Sequence, residues 1–93
     1  MMPGNKLYSV RYLKKVIDDD ILALPKVIRE TIKRAIEERL TADPVGFGKP
    51  LQYSFKGHRR LRVGDYRVIY RIDQDKVIVI VIDIDHRKNI YEE

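Results

Sequence analysis

Residues 57–71 read GHRRLRVGDYRVIYR, with five arginines in fifteen positions. Close to the chain end stands a second group, Asp83-Ile84-Asp85-His86-Arg87-Lys88-Asn89-Ile90-Tyr91. Arginine binds phosphate through a planar, two-pronged set of donors. Histidine and tyrosine can carry protons. Together such groups could cleave RNA. One deprotonates a ribose 2′-OH, cations stabilise the crowded phosphorane, and an acid protonates the departing 5′-oxygen. That chemistry requires the elements carrying these residues to converge.

The hairpin is the first such element. Val63-Gly64-Asp65-Tyr66 reads as a two-residue turn with glycine first, which suits type II′. Val63 then pairs with Tyr66, Arg62 with Arg67, Leu61 with Val68, Arg60 with Ile69, Arg59 with Tyr70 and His58 with Arg71. Cross-strand partners share a face of the sheet. Leu61, Val63, Tyr66, Val68 and Tyr70 form a core face, with Arg59 at its edge. His58, Arg60, Arg62, Arg67 and Arg71 surround Ile69 on the other, expected to be open. The Arg62–Arg67 pair costs about 0.2–1 kcal/mol. An anion seated there would relieve it; so would carboxylates arriving from the C-terminal tail or the loops. An antiparallel strand after the hairpin brings His86, Arg87 and Tyr91 toward Arg62 and Arg67.

The positioning elements are legible in the periodicity. Leu7 to Tyr12 alternates and reads as a first strand. From Leu13 to Leu24 the period changes, and Leu13, Val16, Ile17, Ile21 and Leu24 fall on one helical stripe. Pro25 breaks that helix and suits the first turn of the next. Ile28, Ile32, Ala35, Ile36 and Leu40 mark the apolar face of a second helix, which Asp43-Pro44 ends. Residues 45–56 read as a loop. Arg59–Val63, Tyr66–Ile72 and Val77–Ile84 read as strands, the last apolar on both faces and therefore central. The order β-α-α-β-β-β predicts an α+β domain over residues 1–93. A two-helix hairpin packs on one face of a mainly antiparallel four-stranded sheet.

Bulk properties agree with a polyanion partner. The net charge is +5 and the pI about 9.6. Residues 49–71 hold seven Lys/Arg and one Asp, whereas the other seventy residues are nearly balanced. A focused basic patch is the electrostatic footprint of nucleic acid. There is no cysteine, so neither a disulfide framework nor a thiolate metal site is available. His58 and His86 show no metal-site spacing, and the glycines match no phosphate-cradling loop. No apolar run reaches membrane-span length, and MMPGNKLYSV lacks the apolar block of a signal peptide. The expected location is the cytoplasm, with no membrane partner.

The run GHRRLRVGDYRVIYRI, an apolar strand and then DHRKNIY closely resembles the RelE/ParE toxin superfamily. The likeness extends to the helical hairpin ending near Asp43-Pro44 and to Gly48-Lys49-Pro50-Leu51. It implies the toxin of a type II toxin–antitoxin system. For the RelE branch it implies a ribosome-dependent endoribonuclease that cuts mRNA in the A site by 2′-OH attack, without a cofactor. The implied catalytic set is Arg62, Arg67, His86, Arg87 and Tyr91. The RNA-facing set is Lys49, Lys56, His58, Arg60, Arg71 and Lys88. Arg60 and Arg62 stand in place of lysines, and arginine is a poor general acid. The acid could be His86, and Tyr91 and His86 have comparable claims as the base. The implied partners are a RelB-like cognate antitoxin, the ribosome and mRNA, with operator DNA contacted only through the antitoxin complex. The alternatives are a ParE-like gyrase poison, a non-catalytic nucleic-acid-binding module, and an inactive toxin that still binds its antitoxin.

Overall fold

Alternating apolar residues build the second half of the chain into strands, and the helical periodicities of the first half supply the layer that covers one face of them. The computed structural model describes residues 7–52 and 56–86. Strand β1 is Ser9–Tyr12 and helix α1 is Val16–Asp20. Helix α2, Lys26–Ala35, continues into a widened turn at Ile36–Leu40. Helix α3 is Pro44–Phe47, and the remaining strands are β2 (Lys49–Pro50), β3 (Arg59–Val63), β4 (Tyr66–Asp73) and β5 (Ile78–His86). The sheet runs β1-β5-β4-β3-β2, with β1 parallel to β5 and the other pairs antiparallel.

The sequence predicts four strands and two helices, whereas the sheet has five strands and α3 adds a short third helix. Strand β2 and all but the first residue of α3 fall in residues 45–56, which read as a loop. A two-residue strand is too short for alternation to register, and β2 exists because β3 offers it an edge, pairing Lys49 with Arg60 and Pro50 with Arg59. Helix α3 is set locally. Asp43 caps it by accepting from the Gly46 N–H at 2.9 Å, and Pro44 occupies the first turn, where its missing N–H is harmless.

The core lies between α1–α2 and the helix-side face of β3, β4 and β5. Ile32, Ile36 and Leu40 meet Leu61, Val68, Tyr70, Val79 and Val81 there, all nearly solvent-free. From the first helical stripe, Val16 and Leu24 are buried and Ile21 packs against the core, but Leu13 and Ile17 are exposed. The winding explains the difference. Ile21 donates to the Val16 carbonyl, five residues back, at 2.9 Å. A turn wider than 3.6 residues rotates the i, i+4 positions off a common face.

Strand β5 is central, as its apolar sequence predicts, between β1 and β4. Where β1 stops at Tyr12, Asp20 takes over the edge of β5, its carboxylate accepting from the Ile84 N–H at 3.1 Å. Lys15 closes this corner by engaging both Asp20 and Asp83. Burial disfavours the Lys15 charge, yet hydrogen bonds to the two carboxylates outweigh it and raise its pKa.

Candidate nucleic-acid interface

The hairpin register is the one that the turn residues dictate. Arg59 faces Tyr70, Arg60 Ile69, Leu61 Val68, Arg62 Arg67, and Val63 Tyr66. Gly64 has φ +59° and Asp65 is not left-handed, which fits a type II′ turn. Arg59 stays with the core side. Its guanidinium donates to the carbonyls of Val45 at 2.7 Å and Gly48 at 3.0 Å. It is therefore an anchor for α3 and takes no place on the basic face.

Two rows of side chains cross the face away from the helices. Lys49, Arg60, Ile69 and Asp83 form one, and Arg62, Arg67 and Asp85 the other. Lys49, Arg62 and Arg71 are exposed and Arg60 is half-buried. Arg67 departs from expectation. It retains only 4% of its surface, and so does Ile69 beside it. The central strand β4 is covered on both sides at this point, so Arg67 does not belong to the open wall. Asp85 stands directly across from it in the ladder, an opposite charge on its other flank. Lys56 is exposed, and His58 is half-buried beyond the hairpin's paired residues.

His86 also departs from expectation. It pairs with Tyr66, the rings meeting edge to face with centroids 5.0 Å apart. Tyr66 packs against the core cluster, so His86 lies on the helix side of the sheet, opposite to Arg62 and Arg67. A register shift between Ile69 and Tyr70 is responsible. One extra residue in β5 reverses the facing of everything after it. Without it His86 would have shared the arginine face and Asp85 would have faced the core. Arg87, Lys88 and Tyr91 lie outside the described residues.

At the edge of the sheet, Arg39, Phe47, Lys49, Arg60, Leu61 and Arg62 line a cavity of about 230 Å³. Four of the six are cationic and none is acidic. Arg39 and Phe47 come from the helical layer, and the sequence reading passed over both. Arg39 is absent from the apolar stripe of the second helix, and Phe47 fell among residues that read as a loop. The Asp43-Pro44 cap and first-turn pair was the available signal that Phe47 sits on a helix. Phe47 is 52% exposed.

The mount of that phenylalanine is tightly held. Tyr70 is fully buried and donates its hydroxyl proton to the Pro44 carbonyl at 2.5 Å. Burial raises the Tyr70 pKa, against an opposing pull from Arg59. Gly48, next to Phe47, has no alternative residue, because a Cβ there would collide with the Tyr70 Oη. Among the described residues, no group of three or more His, Asp or Glu could hold a metal ion, and no helix is long and apolar enough to cross a membrane.

With this geometry in view, the relatives are informative. Residues 10–91 match the family described as the ParE toxin of the type II toxin–antitoxin system, parDE. Toxin RelG of Mycobacterium tuberculosis is 32% identical over 84 residues, covering 90% of this chain and 95% of the relative. Toxin RelE of the same organism is 35% identical over 72 residues, covering 77% of this chain and 74% of the relative. The crystal structure of the toxin–antitoxin complex RelBE2 from M. tuberculosis superposes with a TM-score of 0.82 at 32% identity, covering 88% of this chain and 93% of that one. The chain belongs to the RelE/ParE superfamily of type II toxin–antitoxin toxins.

Proposed function

We propose that this protein is a RelE-like toxin, a ribosome-dependent endoribonuclease that cleaves mRNA in the A site by 2′-OH attack. The observation that carries the reading is the cationic wall of Lys49, Arg60 and Arg62, with Arg71 further along the same sheet, whose edge cavity has no acidic lining. Like charges gathered this way attract a polyanion.

In this reading the exposed Arg62 stabilises charge on the phosphorane. Arg67, buried between Arg62 and Asp85, positions that row and does not touch RNA. The resemblance assigns Arg87 and Tyr91 to the catalytic set, Tyr91 as a candidate base, and Lys88 to the RNA-facing set. Tyr91 takes precedence over His86 as the base, because His86 lies on the other side of the sheet against Tyr66. Arg62 cannot serve as the acid. The RelBE2 complex is a toxin bound to its antitoxin, and a RelB-like antitoxin is the corresponding partner here. A cytoplasmic location follows from a ribosomal target.

The ParE name of the matching family favours a second reading, a gyrase poison that leaves RNA intact. Adding the purified protein to a translating system and mapping message ends by primer extension separates the two. Cuts within A-site codons support the ribonuclease. Intact message beside trapped gyrase–DNA complexes supports the gyrase poison.

A further inference from the structure

The short helix α3 ends in an aromatic ring that the fold holds rigidly and leaves in solvent. Its backbone is fixed from three directions. Asp43 caps the Gly46 N–H, Tyr70 donates to the Pro44 carbonyl, and Arg59 donates to the Val45 and Gly48 carbonyls. Two of these clamps commit a buried tyrosine and a half-buried arginine to four residues of surface helix. The ring of Phe47 gains little from core packing at 52% exposure. It lines the edge cavity together with Arg39, Lys49, Arg60 and Arg62. An exposed aromatic on a rigid mount, ringed by cations and without a carboxylate in the lining, matches the way single strands are held without regard to sequence. Bases stack on the ring while cations follow the phosphates.

We propose that this cavity is a single-stranded RNA subsite in which Phe47 stacks on a base and Arg39 and Lys49 hold the adjoining phosphates. It deepens the polyanion reading of the arginine face, since it extends that face around the β2 edge to residues of the helical layer. Its role is to hold and position RNA, with no part in bond cleavage. Stacking tolerates any base, because every base has a π-face, so the subsite contributes affinity and little sequence preference.

The test needs no ribosome, so it stands or falls apart from the cleavage reading. The full-length protein is titrated against a fluorescein-labelled oligouridine strand and followed by anisotropy at several salt concentrations. Circular dichroism checks that each variant is folded. Phe47→Ala and Phe47→Leu should each weaken binding about tenfold, while Phe47→Tyr stays close to the parent. Arg39→Ala should weaken binding and flatten the salt dependence by about 0.7 in log–log slope, the loss of one single-strand phosphate contact. Equal affinity for the parent and Phe47→Ala would overturn the proposal. So would Phe47→Leu binding as tightly as Phe47→Tyr, because any apolar group would then suffice. Poly-glutamate binding as tightly as RNA with the same dependence on Phe47 would likewise overturn it, showing an acidic-peptide site.

Discussion

Arg62 and Arg67 face each other across the β3–β4 hairpin, yet only Arg62 reaches solvent, while Arg67 retains 4% of its surface. Two arginines that look equivalent in the sequence therefore have different work. Arg67→Glu places a second carboxylate in a buried position opposite Asp85, and the expected loss is about 3 kcal/mol of stability. Arg62→Glu replaces a like-charge cross-strand pair with an opposite-charge one, and stability should hold or rise by about 0.2–1 kcal/mol. Urea denaturation of the two variants checks the contrast.

Tyr70 ties β4 to α3 through the Pro44 carbonyl. Removing the hydroxyl in Tyr70→Phe leaves that buried carbonyl without the bond, at an expected cost of about 1–3 kcal/mol. The same hydroxyl predicts a pH effect. Burial raises the pKa values of Tyr70 and Tyr12 above the ordinary tyrosine value, with Glu37 adding to the rise at Tyr12. Above about pH 10 the unfolded chain releases these protons while the native state keeps them, so stability falls as pH rises. Below that value both states are protonated and the contribution is fully present. Denaturation midpoints between neutral pH and about pH 11 should show the decline, with a shallower slope in Tyr70→Phe.

Gly48 and Tyr70 cannot both keep their places if Gly48 gains a side chain, since the new Cβ would run into the Tyr70 Oη. Neither group can give way, because Tyr70 is fully buried and Gly48 is backbone. Gly48→Ala is expected to lose about 1–3 kcal/mol, the usual cost of overpacking. It should also weaken oligouridine binding, because it disturbs the mount of Phe47. Thermal unfolding and the anisotropy titration measure the two effects.

Val77 holds φ at +56° in the turn between β4 and β5, a conformation that β-branched residues rarely adopt. Its carbonyl accepts from the Ser9 N–H at 3.0 Å, which fixes the start of the parallel β1–β5 pairing. Val77→Gly relieves the left-handed strain without removing that carbonyl. A gain of about 1 kcal/mol is expected, read as a higher melting temperature.

The sequence exposed some of this arrangement and hid the rest for definite reasons. Gly64-Asp65 specifies a two-residue turn, so every pairing from Arg59–Tyr70 to Val63–Tyr66 could be counted outward from it. Alternation tells which residues share a face but not what lies over that face, so Arg67 and Ile69 passed as open. The bulge opposite Ile69 and Tyr70 has no mark in the continuous apolar run of β5, yet it decides that Asp85, and not His86, joins the arginine side. The widened turn of α1 removed Leu13 and Ile17 from a stripe drawn at 3.6 residues. Phe47 became visible as a cavity-lining residue only when the β2–β3 edge and α3 were brought together.

In the proposed function the exposed arginine wall serves RNA cleavage on the ribosome. The most direct measurement is single-turnover cleavage of a message on stalled ribosomes, comparing the parent protein with Arg62→Ala. Arg62 is exposed, so the variant should stay folded. The parent should cut within the A site, and the variant should do so at a rate lower by about 10²–10³, the loss of one charge-stabilising group. Cleavage at an unchanged rate in Arg62→Ala, or intact message when the parent protein has halted translation, would contradict that function.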